Sequence, residues 1–268
     1  MAYRVLVLAG PADLDEALGS TCDAIVIDLA DERIDDIGRR SWTRDACEKA
    51  HESEKRAVVR INHPKSPHAR RDLNGVATEH LDAVILPHAT EPQDVRDLGV
   101  LLREFEHTRD IEPGRVAVFP TIDTARGLLR AHDIATAVPR VEGLVFDGAR
   151  YARDVGARSE EVGHRLSYAR GALVAAARAA GGLPLVASEG TEFRQLSHYG
   201  FAGVLLSSAK AAVTAAAAFA PSAGDLKHAE GTVAAFDAAR ADGDRITRFE
   251  GTVVDSSSAR RARKTVEV

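Results

Sequence analysis

Polar side chains that can move protons, bind anions or hold a metal ion follow the short apolar runs of this sequence, at the point where each run ends. In chain order they are Asp28, Asp31, Arg60, Asn62, His88, Asp123, Asp147, Arg150, Ser188, Glu189, Ser207 and Ser208. Carboxylates and imidazoles serve as general acids and bases, and arginine binds carboxylates through two parallel hydrogen bonds. Polar residues end strands in many barrels, so position alone assigns none of them a function. A set with several carboxylates, two arginines and a histidine is nevertheless richer than a structural rim requires.

Eight short apolar runs, rich in β-branched residues, must position these side chains. We predict strands at residues 5–8, 24–28, 57–61, 83–86, 116–121, 143–146, 183–187 and 203–206. Segments with helical periodicity lie between them, such as 92–106, 125–136 and 160–180. Strands that alternate with helices of this length form right-handed parallel units, and eight such units close into a (β/α)₈ barrel. In such a barrel the chemistry lies at the carboxyl ends of the strands.

An open, doubly wound α/β sheet is the alternative to the barrel. Its dinucleotide-binding form needs Gly-x-Gly-x-x-Gly after the first strand, where this chain has Leu8-Ala9-Gly10-Pro11-Ala12. The sequence also contains no P-loop and no Gly-x-Ser-x-Gly elbow. The fold class that the sequence favours is therefore α/β, a (β/α)₈ TIM-type barrel.

A C-terminal helical appendage is predicted to follow the barrel, with the barrel over residues 1–220 and the appendage over residues 221–268. Within the appendage the pattern predicts a helix over 223–241, an extended pair around 246–254, and a final helix that begins near Asp255 or Ser256. Such an appendage packs either on its own barrel or on a neighbouring subunit.

The composition excludes several classes of protein. The chain has 268 residues, of which 45% are hydrophobic and 28% charged, and its formal net charge is −5. It is therefore neither disordered nor basic enough for nucleic acid to be its main partner. No apolar run reaches the roughly 18 residues of a membrane span, and the run near the amino terminus is too short for a secretory signal. We expect a cytoplasmic protein whose two cysteines, Cys22 and Cys47, are structural.

An ordered series of short motifs resembles the citrate lyase beta-subunit family of aldolases and lyases over nearly the whole chain. The motifs are Val59-Arg60-Ile61-Asn62, Arg71-Asp72-Leu73, Val84-Ile85-Leu86-Pro87, Ile122-Asp123-Thr124-Ala125-Arg126-Gly127-Leu128-Leu129, Arg140-Val141-Glu142-Gly143-Leu144-Val145-Phe146, Tyr151-Ala152-Arg153-Asp154-Val155-Gly156, Tyr168-Ala169-Arg170, Gly200-Phe201-Ala202-Gly203 and Phe219-Ala220-Pro221-Ser222. One motif alone would be a weak signal, but the ordered series is a specific one.

The resemblance implies a modified barrel that forms a homotrimer or a multiple of it, binds Mg²⁺, and makes or breaks a carbon–carbon bond. The bond lies next to a carboxylate or thioester carbonyl, often on a coenzyme A ester. In that chemistry a divalent ion and an arginine spread the negative charge of an enolate. The resemblance of the Arg-Ile-Asn motif implies that Arg60 binds the substrate, with Asn62 and Asp28 as further substrate-binding residues. A salt bridge from Arg60 to Asp28 or Asp123 is the structural alternative.

The chain departs from the family's pattern where the metal would bind. The family's metal-ligating Glu is Asp123 here, and Arg150 stands where alignment places the second ligand, an Asp. Arginine cannot ligate Mg²⁺, which takes oxygen ligands. His88 stands in place of a Lys after the fourth strand. Mg²⁺ is therefore a doubtful cofactor for this chain.

Three interpretations of these departures stay open. Asp123 and Asp147 could rebuild a two-carboxylate Mg²⁺ site. Arg150 could instead replace the ion and bind the substrate carboxylate or enolate together with Arg60, while His88 or Asp123 moves a proton. Finally, the barrel could have kept its fold and lost its chemistry, with Arg150 neutralising the two carboxylates.

We therefore expect a carbon–carbon lyase or aldolase-like enzyme with His88, Asp123 and Arg150 as its catalytic residues. Its substrate is a small carboxylate or the coenzyme A thioester of one, and its intermediate is an enolate. The alternative is an inactive member of the family that binds a metabolite or serves as a structural subunit.

Overall fold

Eight parallel strands close into a barrel, in which each strand pairs with the next and the last pairs with the first. The structure, a computed structural model, describes residues 3–30, 37–157, 166–188, 190 and 192–266. The strands are Val5–Leu8, Ala24–Asp28, Arg56–Arg60, Ala83–Leu86, Ala117–Ile122, Gly143–Asp147, Leu183–Ser188 and Gly203–Leu206, β1 to β8. The predicted (β/α)₈ barrel is confirmed, and every strand lies within one residue of its predicted bounds.

Helices connect the strands. Among the described residues of the barrel they are Leu14–Leu18, Ile37–Glu52, His68–Val76, Pro92–Thr108, Ala125–Leu129, Ala131–Ala135, Gly148–Asp154, Ser167–Ala179, Phe193–His198 and Ala212–Phe219, α1 to α10, with a 3₁₀ turn at Ala209–Ala211. The single helix predicted over 125–136 is divided at Arg130. Of the helix predicted over 160–180, residues 160–165 lie outside the described ones. None of the helices in the described ranges is long and apolar enough to cross a membrane.

Alternation along the strands divides the apolar side chains into two layers. Side chains that point into the barrel form one cluster, which includes Leu6, Val26, Val58, Ile85 and Phe119. Side chains that point outwards pack against the helices and form the larger cluster. The barrel interior is thus a packed core and not a channel, so groups that meet a ligand must lie at its ends.

The amino-terminal end of the barrel is closed by Tyr3, Arg56 and Phe119. Arg56 Nη1 donates a 2.9 Å hydrogen bond to the Tyr3 hydroxyl, and the Tyr3 ring meets Phe119 edge-on with 4.9 Å between ring centres. Burial raises the pKa of Tyr3 to about 12, so the hydroxyl stays protonated at neutral pH. Cys22 and Cys47 are also buried, and burial raises the pKa of Cys47 to about 12, which agrees with a structural role.

A buried ion pair between Glu106 and Arg140 secures the connection between α4 and β5. The two side chains form two hydrogen bonds, of 2.7 and 2.8 Å. Glu106 also accepts hydrogen bonds from the backbone N–H groups of Gly114 and Val116. Burial raises the pKa of the Glu106 carboxyl, but these hydrogen bonds outweigh burial and hold the pKa below its usual value.

We expect this pair to make folding stability depend on pH. Because the pKa of Glu106 is lower in the folded protein than in the unfolded chain, its contribution is fully present above the unfolded pKa of about 4.3 and is lost as the pH falls through the folded value. Glu106→Gln should therefore destabilise the protein at neutral pH, by an amount that shrinks towards about pH 3. Urea denaturation across a pH series measures this difference, and a difference that stays constant with pH would contradict the expectation.

Residues 220–266 form a compact unit of their own, separate from Tyr3–Phe219. Its elements are the helix Ala223–Ala241, the antiparallel strands Thr247–Phe249 and Thr252–Val254, and the helix Ser256–Val266, labelled α11, β9, β10 and α12. A reciprocal capping box between Ser222 and Asp225 begins α11. Phe236, Val254 and Ala259 form the core of the unit. The packing of this unit on the barrel or on a neighbouring subunit stays a prediction.

Candidate active site

Four of the predicted site residues end their strands on the inward face of the barrel. Asp28 and Arg60 lie two positions after the inward-pointing Val26 and Val58, and Asp147 lies two positions after Val145. Asp123 continues the inward alternation of β5 beyond Phe119. Because side chains alternate along a strand, all four belong to the carboxyl end of the barrel interior, where the apolar core gives way to charged groups.

Arg60 and Asp28 form an ion pair across neighbouring strands. The two residues are direct partners in the register of β2 and β3, and Arg60 Nη1 lies 3.4 Å from Asp28 Oδ2. Asp28 Oδ1 accepts a 2.8 Å hydrogen bond from the N–H of Ala30. The Arg60 side chain is 21% exposed, and its buried Nε has no hydrogen-bond partner among the described residues. The guanidinium therefore has both a structural partner and unused hydrogen-bonding capacity.

Asp123, His88 and Arg150 form a continuous chain of polar contacts. His88 Nδ1 lies 2.5 Å from Asp123 Oδ2, and His88 Nε2 lies 2.9 Å from Arg150 Nη1. Because a guanidinium nitrogen only donates, Nε2 is the acceptor and the ring proton lies on Nδ1, donated to Asp123. Asp123 is 2% exposed whereas the His88 side chain is 49% exposed, so the imidazole connects a buried carboxylate to the surface of the mouth.

The backbone around His88 explains how the ring reaches Asp123. Strict alternation would turn His88 outwards, in the direction of Leu86, but its φ of +53° lies in the left-handed region that few non-glycine residues adopt. Strained backbone of this kind persists where its surroundings fix it, and it is frequent at active sites. The residue after His88, Ala89, packs closely against Gly127. A Cβ on Gly127 would lie 2.6 Å from the carbonyl oxygen of Ala89, so a larger residue at 127 would displace this backbone.

Asp147 holds both the start of α7 and the side chain of Arg150. Its Oδ1 accepts a 2.9 Å hydrogen bond from the backbone N–H of Arg150, as an N-cap residue does, and its Oδ2 lies 3.4 Å from Arg150 Nε. The capping bond places Arg150 in the first turn of the helix. The guanidinium of Arg150 thus contacts Asp147 through one nitrogen and His88 through another.

These residues do not fit a divalent metal ion in their present arrangement. Asp123 Oδ2 is bound to His88, and Asp147 is bound to Arg150, which leaves only Asp123 Oδ1 buried without a partner. In the part of the chain that the structure describes, no three His, Cys, Asp or Glu residues are grouped as metal ligands. Asp31 and Glu189, two of the polar residues predicted at the strand ends, lie outside the described residues.

Asn62 has a structural position that sequence analysis did not foresee. It is 2% exposed, and its side-chain Nδ2 donates to the carbonyl of Leu29 at 2.9 Å and to Asp72 Oδ2 at 2.7 Å. Its backbone N–H also donates to Asp72. These bonds join the loops after β2 and β3, and contact of Asn62 with substrate stays a prediction.

Sequence analysis also missed a second histidine–carboxylate pair, after β3. His63 Nε2 lies 3.6 Å from Asp94 Oδ1, and Lys65 Nζ lies 2.7 Å from the same oxygen. Burial lowers the pKa of His63 despite the nearby Asp94 carboxylate, and the charges of Lys65 and His88 lower it further. An open depression of about 510 Å³ is lined by His63, Lys65, Ser66, Pro67 and His68. The His-Pro-Lys-Ser-Pro-His run after Asn62 was the available signal.

Comparisons with known proteins agree with the fold. A family model described as HpcH/HpaI aldolase/citrate lyase matches residues 6–216. The chain is 28% identical to a (3S)-malyl-CoA thioesterase of Cereibacter sphaeroides, covering 98% of this chain and 92% of the relative. It is also 28% identical to citrate lyase subunit beta of Escherichia coli K12, covering 90% and 83%. The crystal structure of CitE from Mycobacterium tuberculosis with magnesium, acetoacetate and coenzyme A matches with a TM-score of 0.62 at 22% identity, covering 99% of this chain and 97% of that one.

Proposed function

Because the chain belongs to the HpcH/HpaI aldolase/citrate lyase family, we propose that it is a carbon–carbon lyase acting on a small carboxylate or its coenzyme A thioester through an enolate. The observation that carries the proposal is the Asp123–His88–Arg150 chain at the mouth of the barrel. It joins a proton-transfer group to a fixed positive charge, which are the two things that enolate chemistry requires. Arg60, at the same end of the barrel, supplies a second cation for a substrate carboxylate.

Each residue has a definite role in the proposed cleavage. Arg60 binds the substrate carboxylate, and Arg150 donates to the carbonyl oxygen on which negative charge develops. The base, His88, takes the proton of the substrate hydroxyl, the carbon–carbon bond breaks, and its electron pair becomes the enolate. A proton then returns to the enolate carbon. Asp123 orients the ring through Nδ1–H and stabilises the imidazolium that forms.

Binding of substrate itself prepares the base in this scheme. In the free protein the lone pair of His88 Nε2 is occupied by Arg150 Nη1 at 2.9 Å. When the guanidinium turns its donor to a substrate oxygen, Nε2 is released and can accept a proton. The protein therefore has no free base at this position until an anion has bound.

Hydrogen–deuterium exchange tests the proposal before the physiological substrate is known. The methyl protons of pyruvate or acetyl-CoA exchange in D₂O when an enzyme forms the enolate, and proton NMR measures the rate. We expect exchange with the wild type and a loss of about 100-fold or more in His88→Asn, as general bases typically contribute 10²–10⁴. Asparagine tolerates the left-handed backbone at this position, so the variant should fold.

The control for this experiment is His132→Asn, which changes an exposed histidine on α6. This variant should exchange the methyl protons at the wild-type rate.

The second candidate function, an inactive protein that binds a metabolite, is favoured by the pairing of both arginines, Arg60 and Arg150, with carboxylates. Binding of pyruvate or acetyl-CoA by the wild type without any exchange would replace the lyase proposal with this one.

We also propose that the protein is a cytoplasmic homo-oligomer, a trimer or a multiple of it, with the C-terminal unit packed on its own barrel or lent to a neighbour. The motif series that matches the family supports this state. Light scattering coupled to gel filtration should give a mass of three, or a multiple of three, chains of 28.6 kDa. A monomer would remove the proposal.

A further inference from the structure

We propose that the guanidinium of Arg150, together with His88, takes the place of a divalent metal ion, so that this mouth binds its anion without Mg²⁺. The inference rests on the proposed function for the identity of the anion but not for the state of the metal site. A solved structure of similar fold contains magnesium, whereas this chain places its own nitrogen donors, His88 Nδ1 and Arg150 Nε, against the carboxylates at the ends of β5 and β6.

The contacts of the two carboxylates carry the argument. The register pairs Ile122 with Phe146, so the residues that follow them, Asp123 and Asp147, end neighbouring strands. Each of these carboxylates already contacts a nitrogen of the protein: Asp123 Oδ2 is 2.5 Å from His88 Nδ1, and Asp147 Oδ2 is 3.4 Å from Arg150 Nε. A metal ion would need to displace one or both. Of the two residues, only Asp123 Oδ1 could ligate without such a displacement.

The charges of the cluster lead to the same conclusion. Two carboxylates and one guanidinium leave a single negative charge. A divalent ion added to the same cluster would make its net charge positive. The ion would also lie next to the guanidinium of Arg150, which cannot lose its positive charge because arginine is not deprotonated in proteins. Like charges at such distances repel, and repulsion is stronger in a partly buried site than in water. Binding of a divalent ion and the present position of the Arg150 guanidinium are therefore mutually exclusive.

Titration with Mg²⁺ by calorimetry, in the absence of any substrate, tests the metal part directly. We expect no stoichiometric binding to the wild type after treatment with a chelator. Arg150→Asp removes the competing cation and adds a carboxylate, so it should increase Mg²⁺ affinity at least about tenfold. The matched control is Arg153→Asp, which makes the same change of charge at an exposed position three residues further along α7 and should not gain affinity.

A second variant and a second probe keep the test decisive if Arg150→Asp folds poorly. Arg150→Asn removes the charge without adding one, and Mn²⁺ binding followed by electron paramagnetic resonance reports the ion itself. Gain of Mn²⁺ binding in Arg150→Asn supports the proposal. Stoichiometric metal on the wild type, or no gain in either variant at position 150, overturns it.

Oxalate, a stable dianion shaped like an enolised 2-keto acid, separates this inference from the proposed function. The wild type should bind oxalate with the same affinity in a chelator and in excess MgCl₂, whereas Arg150→Asp should bind it only with MgCl₂. Oxalate binding by the wild type that requires Mg²⁺ would overturn the metal replacement and leave the lyase proposal intact. Absence of oxalate binding under both conditions, with the metal results as expected, would count against the proposed function alone.

Discussion

An Arg60→Ala variant is expected to bind oxalate about 10 to 150 times more weakly than the wild type, because a hydrogen bond to a charged group contributes roughly 1.5–3 kcal/mol. Its unfolding free energy should change by less than about 1 kcal/mol, because the interaction that it loses, the 3.4 Å ion pair with Asp28, is partly exposed to solvent. Asp28 keeps its hydrogen bond from the N–H of Ala30. Calorimetry and urea denaturation give the two quantities.

Two further variants define what Arg60 contributes. Arg60→Lys keeps the charge but loses the planar pair of donors, so its affinity should lie between those of the wild type and the alanine variant. Arg126→Ala removes an exposed arginine of α5 and should leave binding unchanged. A large loss of stability with intact oxalate binding in Arg60→Ala would show that the ion pair with Asp28 is the whole role of the residue.

The barrel could be predicted from the sequence because its strands are buried on both faces. A strand that packs against the barrel interior and against helices becomes a short, nearly continuous apolar run, which is a local signal. The divided helix around Arg130 has no such signal. Arg130 ends one helix and begins the next with a φ of −113°, although neither glycine nor proline marks the break. Nothing local in the sequence distinguishes it from a continuous helix.

The strand ends predicted which residues meet at the mouth, but not how they contact each other. The bond between His88 and Arg150 joins residues 62 positions apart and depends on the left-handed backbone at His88, which the sequence does not announce. The internal hydrogen bonds of Asn62 to Leu29 and Asp72 likewise had no signal in the sequence, where its motif indicated only contact with substrate.

Asn62 donates hydrogen bonds to a buried carboxylate, and loss of this carboxylate should lower the free energy of unfolding. Asp72 is 1% exposed and accepts three hydrogen bonds: from Arg40 Nε at 2.9 Å, from the Asn62 backbone at 3.0 Å and from Asn62 Nδ2 at 2.7 Å. Arg40 is itself buried, and it lies so close to Gly75 that a Cβ there would meet the Arg40 Cβ at 2.7 Å. Asp72, on α3, thus holds Arg40 of α2 and Asn62 of the loop after β3 through buried contacts.

We therefore expect Asp72→Ala to lose about 3–5 kcal/mol of unfolding free energy, because it removes the carboxylate that accepts three buried hydrogen bonds, and buried donors are costly to leave unmatched. Asp72→Asn keeps the size of the side chain and part of the hydrogen bonding, so it should lose less. Glu104→Ala is the matched control, since it removes one partner of an exposed ion pair with Arg70 and should hardly change stability. Urea denaturation measures all three. An Asp72→Ala protein as stable as the control would contradict this expectation and would mean that the three hydrogen bonds to Asp72 contribute little to stability.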